Sequence, residues 1–139
     1  MITIKYNGKT YSNFENIDDL INAGIPEDVI LEHLKQDKLS QLKQELQNFI
    51  YSHYDQGTQA SFSALYQIAK EQNNTNALSQ IQKVWDWINS VLDYYYSKKE
   101  AIINATTRDD LGDITWDWST VEEAEHIELQ DVINMLNQQ

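Results

Sequence analysis

The chain holds three histidines, His33, His53 and His126, and no cysteine, so any ligation or acid–base chemistry falls to imidazole and carboxylate. None of the three stands in a spacing such as H-E-x-x-H, which would put two imidazoles on one helical face. They lie far apart and read as surface or cap residues, with His53 closing a helix where a cation suits the dipole. Asp109, Asp110 and Asp113 around Gly112 invite a calcium reading, but the alternating ligand pattern and distal glutamate of a calcium loop are not reproduced. Solvated loop carboxylates are the expectation. With four glycines the chain has neither a phosphate-cradling loop nor a G-x-S-x-G elbow. The expectation is therefore no enzyme, no cofactor and no metal, unless folding assembles a site that no local motif reveals.

The elements that would position such residues come next. A length of 139 residues fits one domain able to bury a core without disulfide or metal staples. The formal charge of −12, from 22 acidic and 10 basic residues with Arg108 as the single arginine, creates a field that repels phosphate backbones. Direct nucleic-acid binding is not expected. The start, "MITIKYNGKTY", carries no charged leader or apolar run, and eighteen apolar residues never stand together, so secretion and membrane spanning are unsupported.

Residues 1–24 read as a β-hairpin and a short helix. Ile2, Ile4 and Tyr6 alternate with Thr3 and Lys5, and Asn7-Gly8 suits a type I′ turn that sets Ile4 opposite Tyr11 and Tyr6 opposite Lys9. The apolar face should dock on Phe14, Ile17, Leu20 and Ile21 of a helix closed by Gly24. Residues 25–106 read as an antiparallel helical core. A first helix follows Pro26 with a break expected near Asp37; a second starts at Thr58 or Gln59 with Phe62, Leu65, Tyr66, Ile68 and Ala69 inward; a third runs from about Ala77 to Ala105. The fold class is mainly α: an antiparallel helical bundle with an N-terminal β-hairpin and an acidic C-terminal extended segment plus helix.

The third helix carries more rings than one neighbour can cover. At 100° per residue from Ile81, Val84, Trp85, Ile88, Leu92, Tyr95, Tyr96, Ile102 and Ile103 fall within about 60°, an ordinary core stripe. Trp87, Val91 and Tyr94 form a second ridge further round. That ridge is either a second internal contact of a central helix or, for Trp87 and Tyr94, surface left for another chain.

In residues 107–139 the acidic residues after Arg108 are joined by no lysine or arginine. "ITWDW" alternates like a short extended piece with Ile114, Trp116 and Trp118 on one face, either lying across the bundle or serving an interface. Ser119 with Glu122 has the S-x-x-E form of a capping box, and Ile127, Leu129, Val132, Ile133 and Leu136 support a final helix.

The run from Leu39 to Trp118 resembles the small helical accessory proteins encoded beside bacteriophage tail-fibre genes, the tail-fibre assembly chaperones. The matching elements are Ile50 with Tyr54, Gln59-x-Ser61-Phe62-x-x-Leu65, Trp87-Ile88 leading to Tyr94-Tyr95-Tyr96, Lys99 and Ile102, and the acidic-aromatic segment ending in Trp118. The resemblance implies a non-enzymatic viral protein that binds and shields a tail-fibre or receptor-binding protein through protein–protein contact. Trp87, Val91, Tyr94, Trp116 and Trp118 are its candidate partner-binding residues. It implies action in the host cytoplasm during assembly, with retention on the virion tail and homo-oligomer formation left open, and no nucleic acid, membrane or cofactor. Two alternatives stand beside it: an acidic DNA mimic that inhibits a host nuclease or restriction system, and a small structural virion protein.

Overall fold

The computed structural model describes Ile2 to Gln138, apart from the side chain of Asn13. The fold is mainly helical with one small antiparallel hairpin. Strands β1 (Ile2–Tyr6) and β2 (Lys9–Phe14) precede helices α1 (Ile17–Asn22), α2 (Glu27–His53), α3 (Gln56–Glu71), α4 (Thr75–Asn104), α5 (Arg108–Gly112) and α6 (Leu129–Asn137), with a 3-10 turn at Trp118–Val121. The chain separates into two compact units, residues 1–42 with 98–115 and residues 43–97 with 116–139, whose boundaries fall inside α2 and α4. No helix among the described residues is long and apolar enough to cross a membrane.

In the first unit the hairpin forms as its turn residues dictate. Asn7 and Gly8 both adopt positive φ, 50° and 75°, and the pairs Ile4 with Tyr11 and Tyr6 with Lys9 are in register, with a bulge between Ile2 and Ile4. Ile4, Leu20, Ile25 and Ile30 form a buried cluster against which Tyr6, Tyr11, Phe14 and Ile17 pack, so the hairpin face docks on α1 and the start of α2. Phe14 belongs to the strand rather than to the helix, because Asn16 takes the cap position and accepts the Asp19 amide. The helix α2 is continuous through Asp37, where a break was expected. There Lys38 Nζ donates to the Leu111 carbonyl at 2.6 Å, Lys35 Nζ to that of Ile103 at 2.8 Å, and Glu27 pairs with Arg108. Burial lowers the Lys38 ammonium pKa, and the charge of Asp113 offsets part of that.

In the second unit the turns are tighter than the sequence suggests. Asp55 caps α3 by accepting the Thr58 amide at 2.7 Å, so the helix begins at Gln56 rather than at Thr58 or Gln59. Asn73 adopts positive φ, and the buried Asn74 starts α4 two residues early: its Oδ1 accepts the Ala77 amide and its Nδ2 donates to the Met135 carbonyl, each at 3.1 Å. Phe62 and Ala69 are fully buried in α3, which packs on α6, whereas Ile68, expected inward, is exposed. Ser119 and Glu122 do not cap the final helix. Asp117 instead caps the 3-10 turn that holds Ser119, and α6 begins at Leu129.

Candidate functional site

Two histidines that the sequence keeps far apart meet in the second unit on one carboxylate. His53 is the last residue of α2, and Tyr54 follows it with its amide still bonded to Ile50. Glu123 and His126 lie in the irregular segment between the 3-10 turn and α6. The Nδ1 atoms of His53 and His126 are each 2.6 Å from Glu123 Oε1, and the Tyr54 hydroxyl donates to Oε2 at 2.6 Å. That hydroxyl also accepts the Ile127 amide at 2.9 Å, so both lone-pair and proton sides of the phenol are used.

Rings wall the cluster. His53 lies against Trp87 with centroids 4.6 Å apart and against Phe49 at 5.2 Å, and His126 stacks on Tyr54 at 4.8 Å with 14° between planes. Tyr54 in turn meets Phe62 and Trp87 edge-on. The Glu123 side chain is 9% exposed and that of His126 42%, so the carboxylate sits at the inner end of a partly open site. Concave surfaces flank it, one lined by Lys83, Trp87, Val121 and Glu123, the other by Glu125, His126 and Glu128.

The electrostatics follow from this packing. Burial works to raise the Glu123 pKa, but hydrogen bonds from Tyr54, His53 and His126 outweigh it and hold the carboxyl below its usual range. Burial also pushes the Tyr54 phenol well up, helped by its bond to the same carboxylate. Glu123 is thus an anion that accepts three hydrogen bonds, and Tyr54 a neutral donor. The arrangement can orient two imidazoles, hold a proton between them, or present two nitrogens and an oxygen to a cation.

The five candidate partner-binding residues are placed differently. Trp87 is 7% exposed and Val91 fully buried, and the Trp87 indole N–H donates to the Val121 carbonyl. Tyr94 and Trp118 are half-buried and meet edge-on, Trp118 stacks on Phe49, and the Tyr94 hydroxyl accepts the Asp117 amide at 2.7 Å. Trp116, half-buried, donates to Glu45 at 3.2 Å. Of the two readings of the ridge, the internal contact is the one seen: Trp87 and Val91 are buried, Trp87 lies against the end of α2 and Val121, and Tyr94 lies against Asp117 and Trp118. The physical reason is a shift of phase. The buried residues of α4, including Ile81, Val84, Trp87, Ile88, Val91 and Tyr95, centre about 60° from Ile81 on the Trp87 side. The opposite edge is left outward: Trp85 and Leu92 are half-buried and Tyr96 is 56% exposed, while further along the helix Ile103 is also exposed.

No protein family, curated protein or solved structure compared with this chain matches it.

Periodicity identified the helices that carry the site but not the His53–Glu123–His126 meeting, because its members come from segments 70 residues apart. One local signal points toward it. Glu123-x-x-His126 places a carboxylate and an imidazole three residues apart, close enough to touch across a turn.

Proposed function

We propose that this protein is a non-enzymatic tail-fibre assembly chaperone, which binds and shields a fibre or receptor-binding protein, and that the helices of its second unit pack as an antiparallel bundle. The observation that carries the reading is the outward apolar edge of α4 at Trp85, Leu92 and Tyr96. Large aromatic side chains on a helix flank supply contact area at low entropic cost, which suits a transient hold on exposed fibre surface. The resemblance of Leu39 to Trp118 to fibre-accessory proteins supports the same reading, with the contact moved from Trp87 and Tyr94 to this edge. A net charge of −12 would keep a complex with an aggregation-prone fibre in solution.

Shielding acts by binding alone: a partner that prefers the assembly-competent fibre raises that form's population. Co-expression with a cognate fibre protein should raise the fibre's soluble trimeric fraction without nucleotide. Capture should survive moderate salt, since the Debye length of about 8 Å at 0.15 M screens exposed charges more than buried contacts. Equal soluble yield with and without the protein would refute the chaperone role. Capture of a basic nuclease that vanishes with rising salt would assign the acidic surface to charge mimicry instead.

A further inference from the structure

We propose that His53 Nδ1, Glu123 Oε1 and His126 Nδ1 form a three-ligand site for a divalent transition metal of the zinc class. This site does not depend on fibre binding. One donor atom from each of the three residues lies within 4.8 Å of the others, both Nδ1 atoms lie 2.6 Å from Glu123 Oε1, and the residues converge from two separate segments of the second unit. A tetrahedral zinc with bonds of about 2.0–2.2 Å holds its donors about 3.4 Å apart. That spacing falls between the present 2.6 Å nitrogen–oxygen separations and the 4.8 Å that bounds the set, so small ring and carboxylate rotations open the site.

The surroundings are those that a ligand set requires. Glu123 is oriented through its other oxygen by the Tyr54 hydroxyl, which the Ile127 amide fixes in turn. Ligation through Nδ1 moves each remaining imidazole proton to Nε2. For His126 that nitrogen lies 3.7 Å from Glu128 Oε1, placing a carboxylate where a metal-bound histidine would donate. The rings of Phe49, Trp87 and Tyr54 restrict both imidazoles, and the exposed side of His126 leaves a fourth position for water. Two imidazoles with one carboxylate select zinc, cobalt or nickel over magnesium and calcium, which prefer all-oxygen shells.

Titration calorimetry of the purified chain with zinc, and visible absorption with cobalt, should give saturable one-to-one binding, with no response to magnesium. His126→Ala and Glu123→Gln should each weaken zinc by more than the roughly 10–100-fold that loss of an outer-shell partner alone costs, while His33→Ala, on a histidine paired with Asp37 in the first unit, should bind like the parent. Circular dichroism of each variant separates ligand loss from misfolding, and the exposed His126 carries the test if Glu123→Gln fails to fold. Absence of saturable zinc binding, or equal affinity in His126→Ala and the parent, overturns the site.

Discussion

The Tyr54 hydroxyl and the Glu123 carboxylate lie 2.6 Å apart, and that bond ties the end of α2 to the irregular segment that leads into α6. Around it, one buried phenol serves as donor to an anion and acceptor from an amide. Neither function is available to a phenylalanine of nearly the same shape.

Tyr54→Phe should therefore keep the stacking on His126 and the contact with Phe62 while losing both polar bonds. It leaves the buried Ile127 amide without an acceptor and Glu123 Oε2 without its donor. A loss of about 1–3 kcal/mol is expected, the usual cost of stranding a buried polar group. Urea unfolding at neutral pH measures it, and a change below the error of the extrapolation would mean that water replaces the phenol.

The same carboxylate gives the domain an acid limit. Glu123 titrates below its ordinary value of 4.5 in the folded state, so it binds fewer protons folded than unfolded. Its contribution to stability is present above that value and is lost as the pH falls through the folded pKa. With a chelator present, the gap in melting temperature between the parent and Glu123→Gln should narrow as the pH is lowered from about 5 to about 3. A gap that stays constant over that range would show that the carboxylate does not gain from its three partners.

A third bond pair sits at the α3–α4 turn. Asn74 satisfies one free amide at the start of α4 and one free carbonyl in the last turn of α6. Asn74→Ala should cost about 1–2 kcal/mol. Asn74→Asp keeps the cap but sets a carboxylate oxygen against the Met135 carbonyl, so it should not restore full stability. Equal melting temperatures for Asn74→Asp and the parent would show that the Met135 bond contributes nothing.

Much of this fold is legible in the sequence where a local rule decides the geometry. Asn7-Gly8 fixes the hairpin because both residues tolerate positive φ, and the register follows from a two-residue loop. Asp55 and Asn74 are also strong cap residues, yet each sits beside further amides and hydroxyls that compete for the same position, which shifted the expected helix starts. The phase of α4 was legible only in part: Ile81, Val84, Ile88, Tyr95 and Ile102 of the expected stripe are buried, whereas Trp85, Leu92 and Tyr96 of the same stripe lie at its outward edge. Its apolar arc is wide enough to be centred in more than one way, and only the path of the C-terminal segment decides that Trp87 is covered and Tyr96 is not. The His53–Glu123–His126 cluster depends on that same path: the Glu123-x-x-His126 spacing hints at one pair, but nothing local brings His53 to it from 70 residues away.

The two tryptophans of α4 separate folding from binding. Trp87 is buried, donates to Val121 and touches Phe49, His53 and Tyr54, so Trp87→Ala should destabilise the second unit by about 3–5 kcal/mol. Trp85 lies on the outward edge with Tyr96, so Trp85→Ala and Tyr96→Ala should lower the melting temperature much less. If the edge holds the fibre, those two variants should lose capture while remaining folded, as aromatic anchors do. The measurement is thermal unfolding beside fibre pull-down on all three variants. Normal capture by folded Trp85→Ala and Tyr96→Ala would remove this edge as the contact, and Trp85→Ala melting as badly as Trp87→Ala would place both rings in the core.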